Sequence, residues 1–478
     1  MVVVCATTAM ALPAQTFTTL CSFGAADGGP DGALVQSTDG NLYGTTPFGG
    51  ANDHGTIFKI TPSGALTTLY SFCRQSGCPD GDEPTAALVQ AANGEFYGTT
   101  YGNVGTIFKI APSGTVTTLY SFCHRRDCRD GELPAAALVQ AADGELYGTT
   151  EFGGANNGGT VFKISSGMLT TLYSFCSQRG CTDGESPLAG LVQADNGDFY
   201  GTTSSGGANA CLINGNMSGC GTVFKITPSG TLTTLYSFCP QSGCLDGDNP
   251  VAGLVKATNG DLYGTTFTGG ANGGGTIFKI TPSGTLKTLY AFCSQSNCAD
   301  GAYPVAGVIQ ATDGDFYGTT FGGGANPGVP GGPGTVFRVT LAGTLTTLYS
   351  FCSKSGCADG DLPAAALVQA TDGNFYGATQ YGGASAYAGT VFSLSTGLGP
   401  FVKAQPAAGA AGKAVEILGS NLSGATGVAF NGTAASFTVV SRTLITTTVP
   451  VGATTGKVEV TTPEGMLSTR NVNFRVLP

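Results

Sequence analysis

The sequence predicts an all-β chain, a seven-bladed β-propeller closed by its N-terminal strand and followed by an immunoglobulin-like β-sandwich. Three observations predict it: a tetrad that recurs along the chain, a lone strand at the front that the last repeat lacks, and a change of composition after Pro400. The bulk composition agrees. Of 478 residues 77 are Gly, only 10% are charged, and there is no Trp. Many Gly and little charge suit short strands joined by tight turns, and the plentiful aliphatic residues exclude a disordered chain. The length exceeds one ordinary core, so a repeat array or several domains is expected.

The tetrad reads Tyr-Gly-Thr-Thr, with small variations, and begins at Tyr43, Tyr97, Tyr147, Tyr200, Tyr263, Tyr317 and Tyr376. A period of about 50–60 residues holding several strands is the signature of a propeller. The sixth unit shows the parse. Val308–Ala311 is strand a, Asp313-Gly314 a two-residue turn, and Asp315–Thr320 strand b. A Gly-rich loop leads to Gly334–Val339 as strand c, and Ala342-Gly343 turns into Thr344–Phe351 as strand d. β-Branched and aromatic runs bounded by Gly, Asp and Asn are strand and hairpin chemistry.

The ends decide the topology. A lone strand d, Thr16–Phe23, precedes any a, b or c, and the seventh unit ends after its strand c at Leu394. An N-terminal strand that fills this gap would cover an open sheet edge and close a ring.

Tyr-Gly-Thr-Thr, followed by Gly-Gly-Ala-Asn and Gly-Thr-Val/Ile-Phe-Lys-Ile, resembles the Gloeo/Verruco (GloVer) tandem repeat family. Asn52, Asn156, Asn209, Asn272 and Asn326 end the second phrase; the second unit lacks it and the seventh has Ser385. The resemblance spans Thr16 to Thr396. It implies an exported bacterial repeat protein and brings no catalytic residues. From Pro400 onward, Lys403-Ala404-Gln405-Pro406, Gly412-Lys413-Ala414-Val415 and Val428-Ala429-Phe430-Asn431-Gly432 resemble an IPT/TIG domain, a spacer or interaction module. The short alternating strands read independently as an immunoglobulin-like sandwich. The expected parts are therefore 1–14, the remnant of a secretory signal; 15–397, the propeller; and 398–478, the sandwich. The first part, MVVVCATTAMALPA, is uncharged and apolar and carries Ala9-Met10-Ala11 as a candidate cleavage site, which would remove Cys5. No later stretch has the ~18 apolar residues of a membrane helix.

Sixteen cysteines point to an oxidising, extracytoplasmic location. Six pairs share one spacing in the loop after strand d: Cys73/Cys78, Cys123/Cys128, Cys176/Cys181, Cys239/Cys244, Cys293/Cys298 and Cys352/Cys357. Cys211/Cys220 lies within the longest b–c loop. Local disulfides are expected at all of them, with Cys21 a free thiol. Zinc, the rival, needs four ligands and hence two loops brought together, and the chain has only 2 His, His54 and His124, both expected at the surface without a repeated partner.

The a–b and c–d turns are minimal, so every long connection falls at the other end of the ring. These are the Gly-Gly-Ala-Asn loops, the Cys loops, and the inserts Ala208–Gly221 and Pro327–Pro333. Binding residues concentrate on loops held by a rigid scaffold, which makes that face the expected ligand site. Each d–a loop carries an Asp-Gly at Asp31, Asp80, Asp130, Asp183, Asp246, Asp300 or Asp359, and Asp82, Glu132, Glu185, Asp248 and Asp361 add a second acid. A ring of such acids could hold Ca²⁺ or draw a cationic ligand; equally, Asp-Gly is turn chemistry and the rest solvated. Gln36, Gln90, Gln140, Gln193, Gln310 and Gln369, with Lys256 in the remaining unit, either line the channel or bond between blades. The tetrad Tyr are expected to pack blade against blade.

The net charge of −10 excludes nucleic acid as an expected partner. No nucleophile elbow, HExxH, phosphate loop or dinucleotide motif is present. The expectation is an exported, non-catalytic binding or structural repeat protein without a required cofactor, its partner an extracellular glycan, protein or cation. The alternative is an extracellular propeller enzyme, a lyase or glycan-active hydrolase.

Overall fold

A computed structural model describes residues 15–477 other than 25, 214–215, 327–330 and 386–387. Residues 1–14, with Cys5, lie outside the described residues, as does part of the Pro/Gly insert. The fold is all-β, and the repeats form propeller-like antiparallel sheets of four strands in the order a-b-c-d. The second is representative: Val89–Gln90, Phe96–Thr100, Thr106–Ile110 and Val116–Ser121. Strand a is shorter than its sequence pattern, two residues in each sheet, because its flanks turn into the d–a loop and the a–b turn.

One steric fit sets the shape of every sheet. A Cβ on Gly44 would lie 2.5 Å from the Phe58 ring and 2.8 Å from Leu34, so the tetrad glycine is the gap into which the strand c phenylalanine folds. Gly98, Gly148, Gly201, Gly264, Gly318 and Gly377 repeat this contact. Strand d then meets strand c with a bulge: Ile57 faces Tyr70 but Phe58 faces Thr68, leaving Leu69 over. A bulge of this kind bends the strand and adds twist.

Both faces of each sheet are apolar, and each is covered by a neighbouring sheet. Tyr43 lies on Phe96 with ring centroids 4.3 Å apart, as Tyr147 does on Phe199. The tetrad tyrosines thus pack between sheets. The strand a glutamines also work between sheets: Gln90, Gln140, Gln193, Gln310 and Gln369 each accept a backbone N–H from the preceding unit's a–b turn. Where Lys256 replaces Gln, an ion pair to Asp195 at 2.5 Å takes the same place.

The N-terminal strand Thr16–Ser22 is the outer strand of the sheet made by Val368–Gln369, Phe375–Thr379 and Thr390–Ser395. Its register repeats that of every strand d, bulge included: Thr19 faces Phe392 and Cys21 faces Val391. Leu34 and Phe58 of the first unit share one core with Ala370, Tyr376 and Val391 of the seventh and with Phe23 at the end of the N-terminal strand. Thr371 N–H donates to Gln36 across the same seam at 2.9 Å.

The C-terminal part is a two-sheet sandwich. Lys403–Gln405, Ala414–Leu418, Leu444–Thr448 and Phe437–Ser441 form one sheet, and Thr433–Ala435, Gly427–Phe430, Val458–Thr462 and Gly465–Ser468 the other. Val415, Ile417, Ile445, Phe430, Val460 and Phe474 fill its core. It sits on the a–b turns: Thr443 donates to Thr38 O at 3.1 Å, Asn471 to Thr312 O at 2.9 Å, and Arg475 to Asp195 O.

Phe23 is 2% exposed within the core shared by first and seventh units. Phe23→Ala should lower the urea-unfolding free energy by about 3 kcal/mol; a loss well under 1 kcal/mol would show that this seam adds little to stability.

Candidate functional site

The long loops are built around a carboxylate under a tyrosine. Strand d ends with Tyr70, Tyr120, Tyr173, Tyr236, Tyr290 or Tyr349, whose hydroxyl donates at 2.7–3.0 Å to Asp80, Asp130, Asp183, Asp246, Asp300 or Asp359, ten residues on. Loop N–H groups complete the cage, as those of His124 and Arg125 do for Asp130. Asp130, Asp183, Asp300 and Asp359 are fully buried. Burial alone would raise the Asp359 carboxyl, but bonds from Tyr349, Ser353 and the N–H groups of Ser353 and Lys354 hold it below the usual carboxylate range. These acids are the loops' internal anchors, which agrees with Asp-Gly as turn chemistry. Next to each anchor lies a disulfide: Cys73–Cys78, Cys123–Cys128, Cys176–Cys181, Cys239–Cys244, Cys293–Cys298 and Cys352–Cys357, with Cys211–Cys220 in the insert. Cys21 is free.

The first unit departs from this plan. Cys21 stands where the others have Tyr, and Asp31 is not an anchor: it accepts from Gln380 Nε2 at 3.3 Å, and burial pushes its carboxyl up to about 6.

The second acids sit one step further along. Glu132, Glu185, Asp248 and Asp361 bridge through their backbones to Phe152, Ser205, Thr268 and Tyr381 of the b–c loops. Asp82 binds His54 Nδ1 at 2.8 Å, so that histidine has a partner that only its own unit supplies. Thr268 donates to Asp248, and burial raises the carboxyls of both Asp248 and Asp361. Among the described residues, no three of these acids bring their oxygens within 4.8 Å of one another.

The Asn that ends each Gly-Gly-Ala-Asn phrase is structural as well. Asn52 Nδ2 donates to Phe72 O at 2.8 Å and Asn272 to Phe292 O at 3.2 Å, tying the b–c loop to the end of strand d.

With the repeated polar groups absorbed by the scaffold, the residue directly after each tetrad stands out. It is Pro47, Tyr101, Glu151, Ser204, Phe267, Phe321 or Gln380, different in nearly every unit. From Tyr101 onward, each is held in place by its N–H bond to the d–a loop of the same inter-sheet seam, as Tyr101 N–H is to Glu83 O at 2.8 Å. Around this rim Tyr101 donates to Glu151 Oε2 at 2.8 Å, and Phe267 packs on Tyr303 with centroids 5.5 Å apart. Burial raises the carboxyls of Glu83 and Glu151, and burial with the Glu151 bond pushes the Tyr101 hydroxyl up to about 12. These positions escape any reading of the sequence that searches for what repeats. Their signal is the reverse: a position that varies in an otherwise uniform array.

At the opposite end, under the sandwich, lies a cavity of about 390 Å³ lined by Ile309, Gln310, Val368, Gln369, Phe401, Lys403 and Asn471 among others. Lys403 Nζ donates to Gln369 O at 2.7 Å, and burial pushes the amine down to about 8. Neither the cavity nor this lysine's burial is legible in the sequence, since both exist only where the two parts meet.

The geometry defines an all-β repeat protein of propeller-like sheets capped by a sandwich. The chain belongs to the Gloeobacter/Verrucomicrobia repeat family, whose model matches residues 7–213 and 210–438, and it carries an IPT/TIG domain at residues 401–476. Among curated proteins, none matches. Among solved structures it is similar to a catalytically inactive variant of virginiamycin B lyase from Staphylococcus aureus with quinupristin, at 17% identity and TM-score 0.52, covering 80% of this chain and 99% of that one. A fungal alcohol oxidase of the AA5 family in complex with copper aligns at 12% identity and TM-score 0.53, over 98% and 99% of the two chains. The extracellular domain of a putative hybrid two-component system from B. thetaiotaomicron aligns at 11% identity and TM-score 0.50, over 95% of this chain and 53% of that one. At these identities the likeness is one of fold.

Tyr290→Phe should cost about 1–2 kcal/mol in urea unfolding, because it strips a bond from buried Asp300; no loss would mean the anchor is idle. Lys403 keeps its proton to about 8 folded but to about 10.4 unfolded. Stability therefore rises as pH climbs through that window, and the cost of the buried charge is complete below it. Lys403→Met should raise Tm at pH 7 by more than at pH 10; an equal change at both would rule out the titration.

Proposed function

We propose that the chain is an exported, non-catalytic binding module: a seven-bladed propeller closed by its own first strand, with a ligand site on the long-loop face. The parts run 1–14 as a secretory leader, 15–397 as the propeller and 398–478 as the sandwich. Closure is supported by the Thr16–Ser22 pairing, which reproduces the strand d bulge, and by the core and hydrogen bond that join first and seventh units. Export is supported by the disulfides of the Cys loops, which persist in oxidising compartments. No helix among the described residues is long and apolar enough to cross a membrane.

The observation that carries the binding role is the rim. In a scaffold whose repeated polar groups are mostly bonded internally, Tyr101, Glu151, Phe267, Phe321 and Gln380 vary across the units, are half-buried, and mix aromatic faces with acid and amide groups. That mixture fits an extracellular glycan, with rings for stacking and polar groups for hydroxyls; a protein or a cation is the wider class. A catalytic role would need differentiated acid–base groups. His54 is engaged by Asp82, and His124 lies between Cys123 and Cys128. The enzyme reading, a lyase or glycan-active hydrolase, draws on one feature, the raised carboxyls of Glu83 and Glu151, which suit a general acid.

The test is binding to a panel of soluble polysaccharides with products followed by mass spectrometry. The expected result is retention that falls at least tenfold in Tyr101→Ala and Phe267→Ala, with the polymer intact. Chain cleavage abolished by Glu151→Gln would make the protein an enzyme. A calcium-dependent rise in Tm, lost when Asp82, Asp248 and Asp361 are changed to Asn, would move the site to the Cys loops.

A further inference from the structure

The fourth unit alone carries two disulfide pairs among the described residues, where the others have one or none. Its b–c insert forms a hairpin, Ala210–Ile213 paired with Asn216–Gly219, and delivers Cys211 and Cys220. Its d–a loop carries Cys239 and Cys244. Nothing in the local sequence patterns signals that these loops meet, yet the four Sγ atoms all lie within 4.8 Å of one another, and Cys211 Sγ is 3.7 Å from Cys244 Sγ across the two pairs. The convergence is built by the scaffold. Asn209 Nδ2 donates to Phe238 O at 2.8 Å, fixing the base of the insert to the start of the Cys loop. Asn249 N–H donates to Cys220 O at 2.9 Å, fixing its far end to the next loop. Cys220 is fully buried and Cys211 is 6% exposed, in a core with Val223 and Phe238.

We propose that these four cysteines, when both pairs are reduced, form a tetrathiolate site for one Zn²⁺. A tetrahedral zinc with metal–sulfur bonds of about 2.3 Å has sulfur–sulfur edges of about 3.8 Å, which the Cys211–Cys244 separation already matches. Closing the site needs only that each disulfide open and its sulfurs part to the same edge length. The chemistry balances. Each disulfide takes two electrons from a phosphine, which becomes the phosphine oxide by taking the oxygen of one water while that water's two protons go to the thiols, and the four thiols release their protons as zinc binds. Cys211 and Cys220 are buried among apolar residues while Cys239 and Cys244 are half-buried, so the hydrophobic surround shields one side of the site and slows metal loss there. The other Cys loops lack a second pair: Cys73/Cys78 have His54 beside them, Cys176/Cys181 have Glu185, and Cys352/Cys357 have Asp361, three donors each. The site is therefore a redox alternative to two local disulfides: when oxidised, the insert meets the Cys loop through the Asn209 bond rather than a covalent link, and zinc would add a direct link between them. It is independent of the ligand site on the rim.

The experiment is to reduce the full chain with a phosphine, add Zn²⁺, and challenge with a chromogenic chelator. The expected result is one tightly held zinc per chain, unaffected by Cys73→Ser/Cys78→Ser and lost in Cys211→Ser/Cys220→Ser. Co²⁺ in its place should show the intense visible bands of a four-sulfur tetrahedral site. Zinc held equally by the Cys211→Ser/Cys220→Ser variant, no zinc retained by the reduced wild type, or a reduced wild type that unfolds with or without zinc would each overturn the proposal.

Discussion

The rest of the structure depends on one contact, the strand c phenylalanine folded into the gap left by the tetrad glycine. It makes each sheet apolar on both faces, with Tyr43 presented to one neighbour and Leu42 to the other. A sheet apolar on both sides cannot end an array in water, since its outer face would be a large exposed patch. Residues of the first and seventh units share one core, and the strand d that the seventh unit lacks must come from somewhere. The chain supplies it at the start, with the free thiol of Cys21 where a tyrosine would stand.

The scaffold's demand for identical contacts explains why so many polar side chains do no external work. A buried carboxylate is costly unless its oxygens are bonded, and each Cys loop meets that condition with a tyrosine and backbone N–H groups. The first unit shows the coupling from the other side: without the tyrosine there is no anchor aspartate, and Asp31 is left to Gln380. The seventh departs too, for Ala378 replaces the tetrad Thr that elsewhere donates to the next unit's d–a loop, as Thr45 does to Ala86 O.

Much of the fold was legible in the sequence because its signals are local. The tetrad marks strand b, Asp-Gly and Asn-Gly mark the a–b turns, and five-residue cysteine spacings mark the loops. The lone strand at the front was legible because its pattern, Leu20 to Phe23, copies Leu69 to Phe72 except at one residue. The role of the acids was harder to read, since their number suggested a ring of ligands. The cue was present: Tyr and Asp keep a fixed ten-residue spacing in six units. The seating of the sandwich and the meeting of Cys211 with Cys244 were not legible, because both join segments whose local patterns are independent of each other.

The central claim is that the N-terminal segment is an integral outer strand rather than an attached tail. Amide hydrogen exchange reads this directly. Thr18, Leu20 and Ser22 should be protected to within about tenfold of Thr67, Leu69 and Ser71, their counterparts in the first sheet. Exchange of the 16–22 amides at the rate of an unstructured chain, while 66–71 stay protected, would contradict it.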